Sequence, residues 1–147
     1  MHVVLCGSMH FIDTMKELSV ELENLGHQVT LPIMTEEEIM QHSLTSADNI
    51  SWDFSKLPDE QIAELKSKML EYYFSKIRQG ECILIVNEKK NGLINYVGPK
   101  AFLEMGVAFV LEKPIFMLNA IPYQENREEL LGLQPIILEN DLTKIML

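Results

Sequence analysis

Cysteine is scarce in this chain, with Cys6 and Cys82 the two examples in 147 residues. They form no C-x-x-C pair, and the four histidines, His2, His10, His27 and His42, show no metal-ligand spacing. No metal site is expected. Cys6 closes the first predicted strand and Cys82 opens a later one. If those strands run parallel, the thiols lie at opposite ends of the sheet, too far apart to bridge, and both read as buried and reduced. Basic residues are also few, 12 against 22 acidic, for a net charge of −10. Such a surface repels polyanions and argues against a nucleic-acid polymer as partner. A small phosphorylated ligand stays compatible with it, since a few backbone N–H groups and one Lys can hold a phosphate locally. No apolar run approaches the ~20 residues of a membrane span. The N-terminus carries neither a basic leader nor a small-residue cleavage site, so the expected location is cytoplasmic, with no membrane partner.

What is present alternates. Residues 2–6 are a short apolar run ending in Gly7-Ser8, a strand and a turn. Met15, Leu18, Leu22 and Leu25 then recur at helical steps, and Gly26 stops that helix. Residues 28–31 predict a second strand, closed by Pro32. Thr35 and Glu38 form a capping box for a short helix to about Ser43, and residues 48–56, around Trp52, read as a loop. Pro58 is placed at the first turn of a long helix with Ile62, Leu65, Met69 and Ile77 on its buried stripe, ended by Gly80. Residues 81–87 contain Cys-Ile-Leu-Ile-Val, which suits a central parallel strand buried on both faces. A polar loop over residues 88–98 leads to a helix from Pro99 to about Glu112. Strands over residues 114–118 and 134–138 flank a short helix over residues 125–131, and a last helical turn is expected over residues 141–147.

The order predicts an α/β domain, doubly wound, with a five-stranded parallel sheet in the flavodoxin-like order 2-1-3-4-5, residues 1–147 forming one domain. In such a sheet ligands bind beyond the carboxyl ends of the strands, where the order reverses between strands 1 and 3. Two loops meet there, one with Gly7, Ser8 and His10, the other with Asn87, Asn95 and Gly98. Both lead to helix N-termini that favour an anion. Neither contains a Walker A or a G-x-G-x-x-G sequence, so no nucleotide cofactor is expected. Glu104 follows in an apolar setting, between Leu103 and Met105. A carboxylate there is expected to face the crevice rather than be buried unpaired, and can serve as nucleophile or as general acid or base. The alternative is a helical Glu that reaches solvent or pairs with Lys100 one turn earlier.

The segments Ile85-Val86-Asn87, Asn95-Tyr96-Val97-Gly98-Pro99-Lys100-Ala101-Phe102-Leu103-Glu104-Met105-Gly106-Val107-Ala108 and Glu112-Lys113-Pro114-Ile115 resemble the nucleoside 2-deoxyribosyltransferase-like superfamily. That group includes base-exchanging transferases and hydrolases of nucleoside 5′-monophosphates. Its hallmark is Glu-x-Gly-x-Ala followed by Lys-Pro-Ile, matched by Glu104, Gly106, Ala108, Lys113, Pro114 and Ile115. The resemblance implies Glu104 as nucleophile on C1′ of the sugar and a nucleoside or nucleotide as small-molecule partner. It also implies a homodimer or higher homo-oligomer, with Asn119 able to reach a neighbouring subunit's site. Ser8, the amides near Gly98 and Lys100 would hold a 5′-phosphate or 5′-hydroxyl. Lys100 alternatively pairs with Glu104 and depresses its pKa. Two departures stand out. The third strand ends in Asn87 where the family commonly has Asp, and the acid that usually precedes the catalytic Glu is absent, Asn95 and Gly98 standing in that stretch. An amide cannot donate a proton as a carboxylic acid does, which leaves His10 as a candidate donor, or a non-catalytic nucleotide-binding module of the same fold. Residues 33–57 would suit a lid over the crevice.

Overall fold

The computed structural model describes residues 1–33 and 54–146. The short helix expected over residues 35–43 and the segment around Trp52 lie outside the described residues, and with them most of the expected lid. Five parallel strands, β1 (His2–Cys6), β2 (Gln28–Thr30), β3 (Cys82–Ile85), β4 (Ile115–Met117) and β5 (Ile136–Ile137), form one sheet in the order β2-β1-β3-β4-β5. This is the expected α/β flavodoxin-like order. The helices are α1 (Ile12–Asn24), α2 (Asp59–Gln79), α3 (Pro99–Val110) and α4 (Arg127–Gly132), with 3-10 turns at Met9–Phe11, Phe54–Lys56 and Leu142–Lys144.

Strand alternation sorts the core into two layers. Val3, Leu5, Cys82, Leu84 and Val86 point to one face, where Met15, Leu18 and Leu22 of α1 cover them. Val4, Cys6, Ile83 and Ile85 point to the other, against Ile77 of α2 and Ala101, Met105 and Ala108 of α3. Because both faces of β1 and β3 are covered, these strands read as continuous apolar runs rather than alternating ones. Cys6 pairs with Ile85 and Cys82 with Val3 across β1 and β3, so the thiols are three residues apart along the strands, roughly 10 Å. Both are free and buried.

The helix ends follow local chemistry. Gly26, at φ 92°, closes α1 in a left-handed turn, with the His27 N–H bonded to the Leu22 carbonyl at 3.0 Å. Pro58 is the residue before α2 rather than its first residue, with an extended ψ of 151°. At the far end of α2 the Lys113 ammonium donates to the carbonyls of Ile77, Arg78 and Gly80, a cation on the negative end of the helix dipole. Lys113 of the Lys-Pro-Ile segment therefore ties β4 to α2. The last strand is shorter than the pattern suggests. Gln134 is left-handed at φ 51° and Pro135 has no N–H, so pairing begins at Ile136.

Candidate functional site

The strand order reverses between β1 and β3, and at their carboxyl ends the chain opens into a cleft of about 200 Å³. The wall comes from four places. The turn after β1 supplies Gly7, Ser8 and Met9, the segment ahead of α2 supplies Phe54, α2 supplies Lys66, Met69 and Tyr73, and the run from Lys90 to Ala101 supplies Lys90, Tyr96, Gly98 and Lys100. Gly7 is required by close approach: a Cβ there would lie 2.9 Å from the Val86 carbonyl oxygen and 2.8 Å from Met15 Cε. Ser8 caps the 3-10 turn by accepting the His10 N–H at 3.2 Å, and it also accepts from the Lys90 ammonium at 2.9 Å. On the other side Gly98 caps α3 and Pro99 occupies its first turn, so free backbone N–H groups face this end.

The charge of the cleft opposes that of the protein. Three ammonium side chains, Lys66, Lys90 and Lys100, line it, and no Asp or Glu does among the described residues. Burial, helped by Lys100, lowers the pKa of Lys66. Lys66 sits 4.3 Å from the Phe54 ring centroid and Lys90 5.4 Å from that of Tyr96.

Glu104 is not in the cleft wall. It is 1% exposed, and its Oε1 lies 3.3 Å from Lys100 Nζ, one helical turn away. The Lys100 ammonium also sits 3.9 Å from the Tyr73 ring centroid. The Lys100 side chain is 29% exposed overall, through its stem, because its nitrogen is buried. The 3.3 Å contact is an ion pair off hydrogen-bond geometry, and neither Lys100 Nζ nor Glu104 Oε1 makes a hydrogen bond. Burial raises the Glu104 pKa above its ordinary 4.5; Lys100 and the adjoining Cys6 thiol pull the other way and do not offset it. The expected depression by Lys100 is present but smaller than the desolvation. For Lys100 burial alone lowers the pKa, and the charges of Glu104, Tyr73 and Cys6 overturn that to a net rise. Cys6 itself is pushed well up by burial and by Glu104, so its thiol stays protonated.

The remaining candidates from the sequence lie elsewhere. Asn87 is fully buried, and its Nδ2 donates to the carbonyls of Asn119 and Ala120, both at 3.1 Å, and more distantly to Asn95 at 3.5 Å. The Asn119 N–H returns a bond to Asn87 Oδ1 and its side chain donates to the Asn87 carbonyl, both at 2.9 Å. Asn140 then donates to Asn119 Oδ1 at 2.8 Å. The two amides clamp the ends of β3 and β4 together, and their polar atoms are taken up within this network, by each other and by Asn95, Ala120 and Asn140. Asn95 lies in the wall of a separate groove with Ile94, Ile121 and Tyr123, and its φ is 57°. His10 is exposed, edge-on to Phe11, and outside the cleft wall. Thus Gly7, Ser8, Gly98 and Lys100 converge, while Glu104 joins them through Lys100. Sequence reasoning missed Lys66, Tyr73, Lys90 and Tyr96. Lys90 was legible from its place in the loop after β3; nothing local marks Lys66 among the lysines of a solvated helix.

No cluster of His, Cys, Asp or Glu suited to a metal occurs among the described residues, and no helix there is long and apolar enough to cross a membrane. No family model matches the chain, and no curated protein matches it in sequence. Among solved structures, the chain is similar in fold to a 2-deoxyribosyltransferase from the psychrotolerant bacterium Bacillus psychrosaccharolyticus. The TM-score is 0.54 at 14% identity, over 93% of this chain and 98% of that one.

Proposed function

We propose that the protein cleaves or transfers the N-glycosidic bond of a nucleoside or nucleoside 5′-monophosphate, with Glu104 as the attacking carboxylate. One observation carries this proposal: a buried carboxylate is paired with Lys100, which lines a cationic cleft at the switch point of the sheet. The structural neighbour that acts as a 2-deoxyribosyltransferase supports the choice of chemistry through its fold. In the reaction a Glu104 oxygen bonds to C1′ as the bond from C1′ to the base nitrogen breaks, and the base leaves with a proton from water. The resulting glycosyl ester is resolved by water, giving hydrolysis, or by a second base, giving transfer. Lys66, Lys90 and Ser8 supply the contacts that a 5′-phosphate takes, and Tyr96 offers an aromatic face within the same cleft. The proposal takes residues 1–147 as one domain, acting in the cytoplasm as a homo-oligomer. The apolar groove between α2 and α3, about 540 Å³ and flanked by Arg78 and Glu129, is the surface it assigns to self-association.

A second proposal, a non-catalytic nucleotide-binding module, is favoured by the absence of Glu104 from the cleft wall. Following free base from a panel of nucleosides and 5′-monophosphates separates the two. Under the enzymatic proposal the wild-type protein releases base and Glu104→Gln loses at least about a thousandfold in rate. Equal, background release by both proteins would sink the enzymatic proposal; nucleotide-dependent thermal stabilisation without release would favour the binding module.

A further inference from the structure

Lys100 occupies a position that neither helix formation nor ordinary surface chemistry explains. It is the second residue of α3, at the positive end of the helix dipole, where a cation is disfavoured. Its ammonium has three N–H donors, yet it is buried and makes no hydrogen bond. What holds it inward is one off-axis ion pair with Glu104 and the face of Tyr73. Its stem meanwhile lines the cleft with Lys66 and Lys90, two further cations with no carboxylate among the lining residues described. Glu104 is buried and has no face in that cleft.

We propose that Lys100 is a latch on Glu104: a phosphate group bound by Ser8, Lys66 and Lys90 draws its ammonium outward and so opens the carboxylate to the cleft. Two anions, the ligand phosphate and Glu104, compete for one ammonium. Hydrogen bonds that Lys100 lacks in the inward position become available from phosphate oxygens in the outward one. The latch rests on the proposed nucleotide chemistry of the cleft and makes its substrate class anionic, since a neutral nucleoside has no group to draw Lys100 away. Lys100 is on this account a specificity-determining residue.

The test is titration of the full-length protein with inorganic phosphate, followed by calorimetry and by NMR of the lysine ε-methylenes. Lys100, held against the Tyr73 ring, should show an upfield-shifted ε-methylene signal that moves to the ordinary lysine position as phosphate binds. Lys100→Met should weaken phosphate binding about tenfold or more, the loss of one charge-assisted contact. Glu104→Gln, which removes the competitor, should tighten it roughly threefold to tenfold. That gain should disappear when Glu104→Gln is made in the Lys100→Met background; a long-range charge effect would persist there. A gain that persists, or a Lys100 signal that stays upfield at saturating phosphate, overturns the latch even if every variant folds normally. Phosphate that fails to bind the wild-type protein overturns both the latch and the reading of the cleft as an anion site. Release of base from nucleotides, measured separately, decides the enzymatic proposal on its own terms.

Discussion

Replacing Lys100 by Met removes a buried ammonium while keeping most of the side-chain volume, and the cost should depend on pH in a way the structure dictates. At 3.3 Å the pair with Glu104 is worth about 5 kcal/mol by Coulomb's law with an effective dielectric constant near 20. Loss of one partner from a buried pair costs about 3–5 kcal/mol, because the remaining charge stays desolvated. Glu104 can escape that cost by taking up a proton. Its pKa is already raised by burial above 4.5, so the stability it confers is fully present below 4.5 and is lost as pH rises through its folded value. Without Lys100 the folded value climbs further and the loss deepens. Lys100, whose pKa is raised above 10.5, keeps its charge through neutral pH and adds no slope of its own there. The expected cost of Lys100→Met is therefore under about 1.5 kcal/mol at pH 4 and about 3–5 kcal/mol at pH 8. Urea unfolding of wild type, Lys100→Met and the double variant with Glu104→Gln, at pH 4, 6 and 8, reads this directly. A Lys100→Met cost that is the same at pH 4 and pH 8 would refute the reasoning, since it would mean that Glu104 carries no charge that Lys100 offsets.

Three further outcomes follow from the scaffold. Asn87→Asp should destabilise the fold by about 3 kcal/mol or more at neutral pH, because a buried carboxylate would face carbonyls to which Nδ2 now donates. Burial raises that Asp pKa, so thermal melts should recover stability as pH falls towards ~4. Gly7→Ala should cost about 1–3 kcal/mol from contact with Val86 and Met15, and should weaken phosphate binding by shifting the Ser8 turn, seen in parallel melts and titrations. Lys113→Met should cost about 1–3 kcal/mol in denaturant unfolding by leaving the end of α2 uncapped, while phosphate affinity stays unchanged.

The course of the chain was legible in its sequence because the signals that set it are local. Apolar runs at β1 and β3, helical steps from Met15 to Leu22, and the glycine after α1 each act over a few residues. Chirality and parallel pairing then leave few ways to connect such units, so the sheet order follows from the same information. Errors fell where backbone detail outweighs pattern, as at Gln134 and Pro135 before β5. The cleft is different. Gly7, Ser8 and Lys100 could be named from their places after strands and at a helix start, but Lys66 and Tyr73 enter it from the middle of α2. Likewise, the sequence showed two amides, Asn87 and Asn119, in positions that suit a ligand, and the fold bonds them to each other.

By itself, then, the sequence determined an acidic α/β chain with a five-stranded parallel sheet, a switch point, and a carboxylate one turn after a lysine. Tertiary structure decided which way that pair points. A helix fixes the spacing of Lys100 and Glu104, but only the packing of α3 against β1 and α2 buries the carboxylate beside Cys6 and brings Tyr73 under the ammonium. Burial, and the charge balance that comes with it, belongs to no residue alone. It depends on what the rest of the chain brings within a few ångströms.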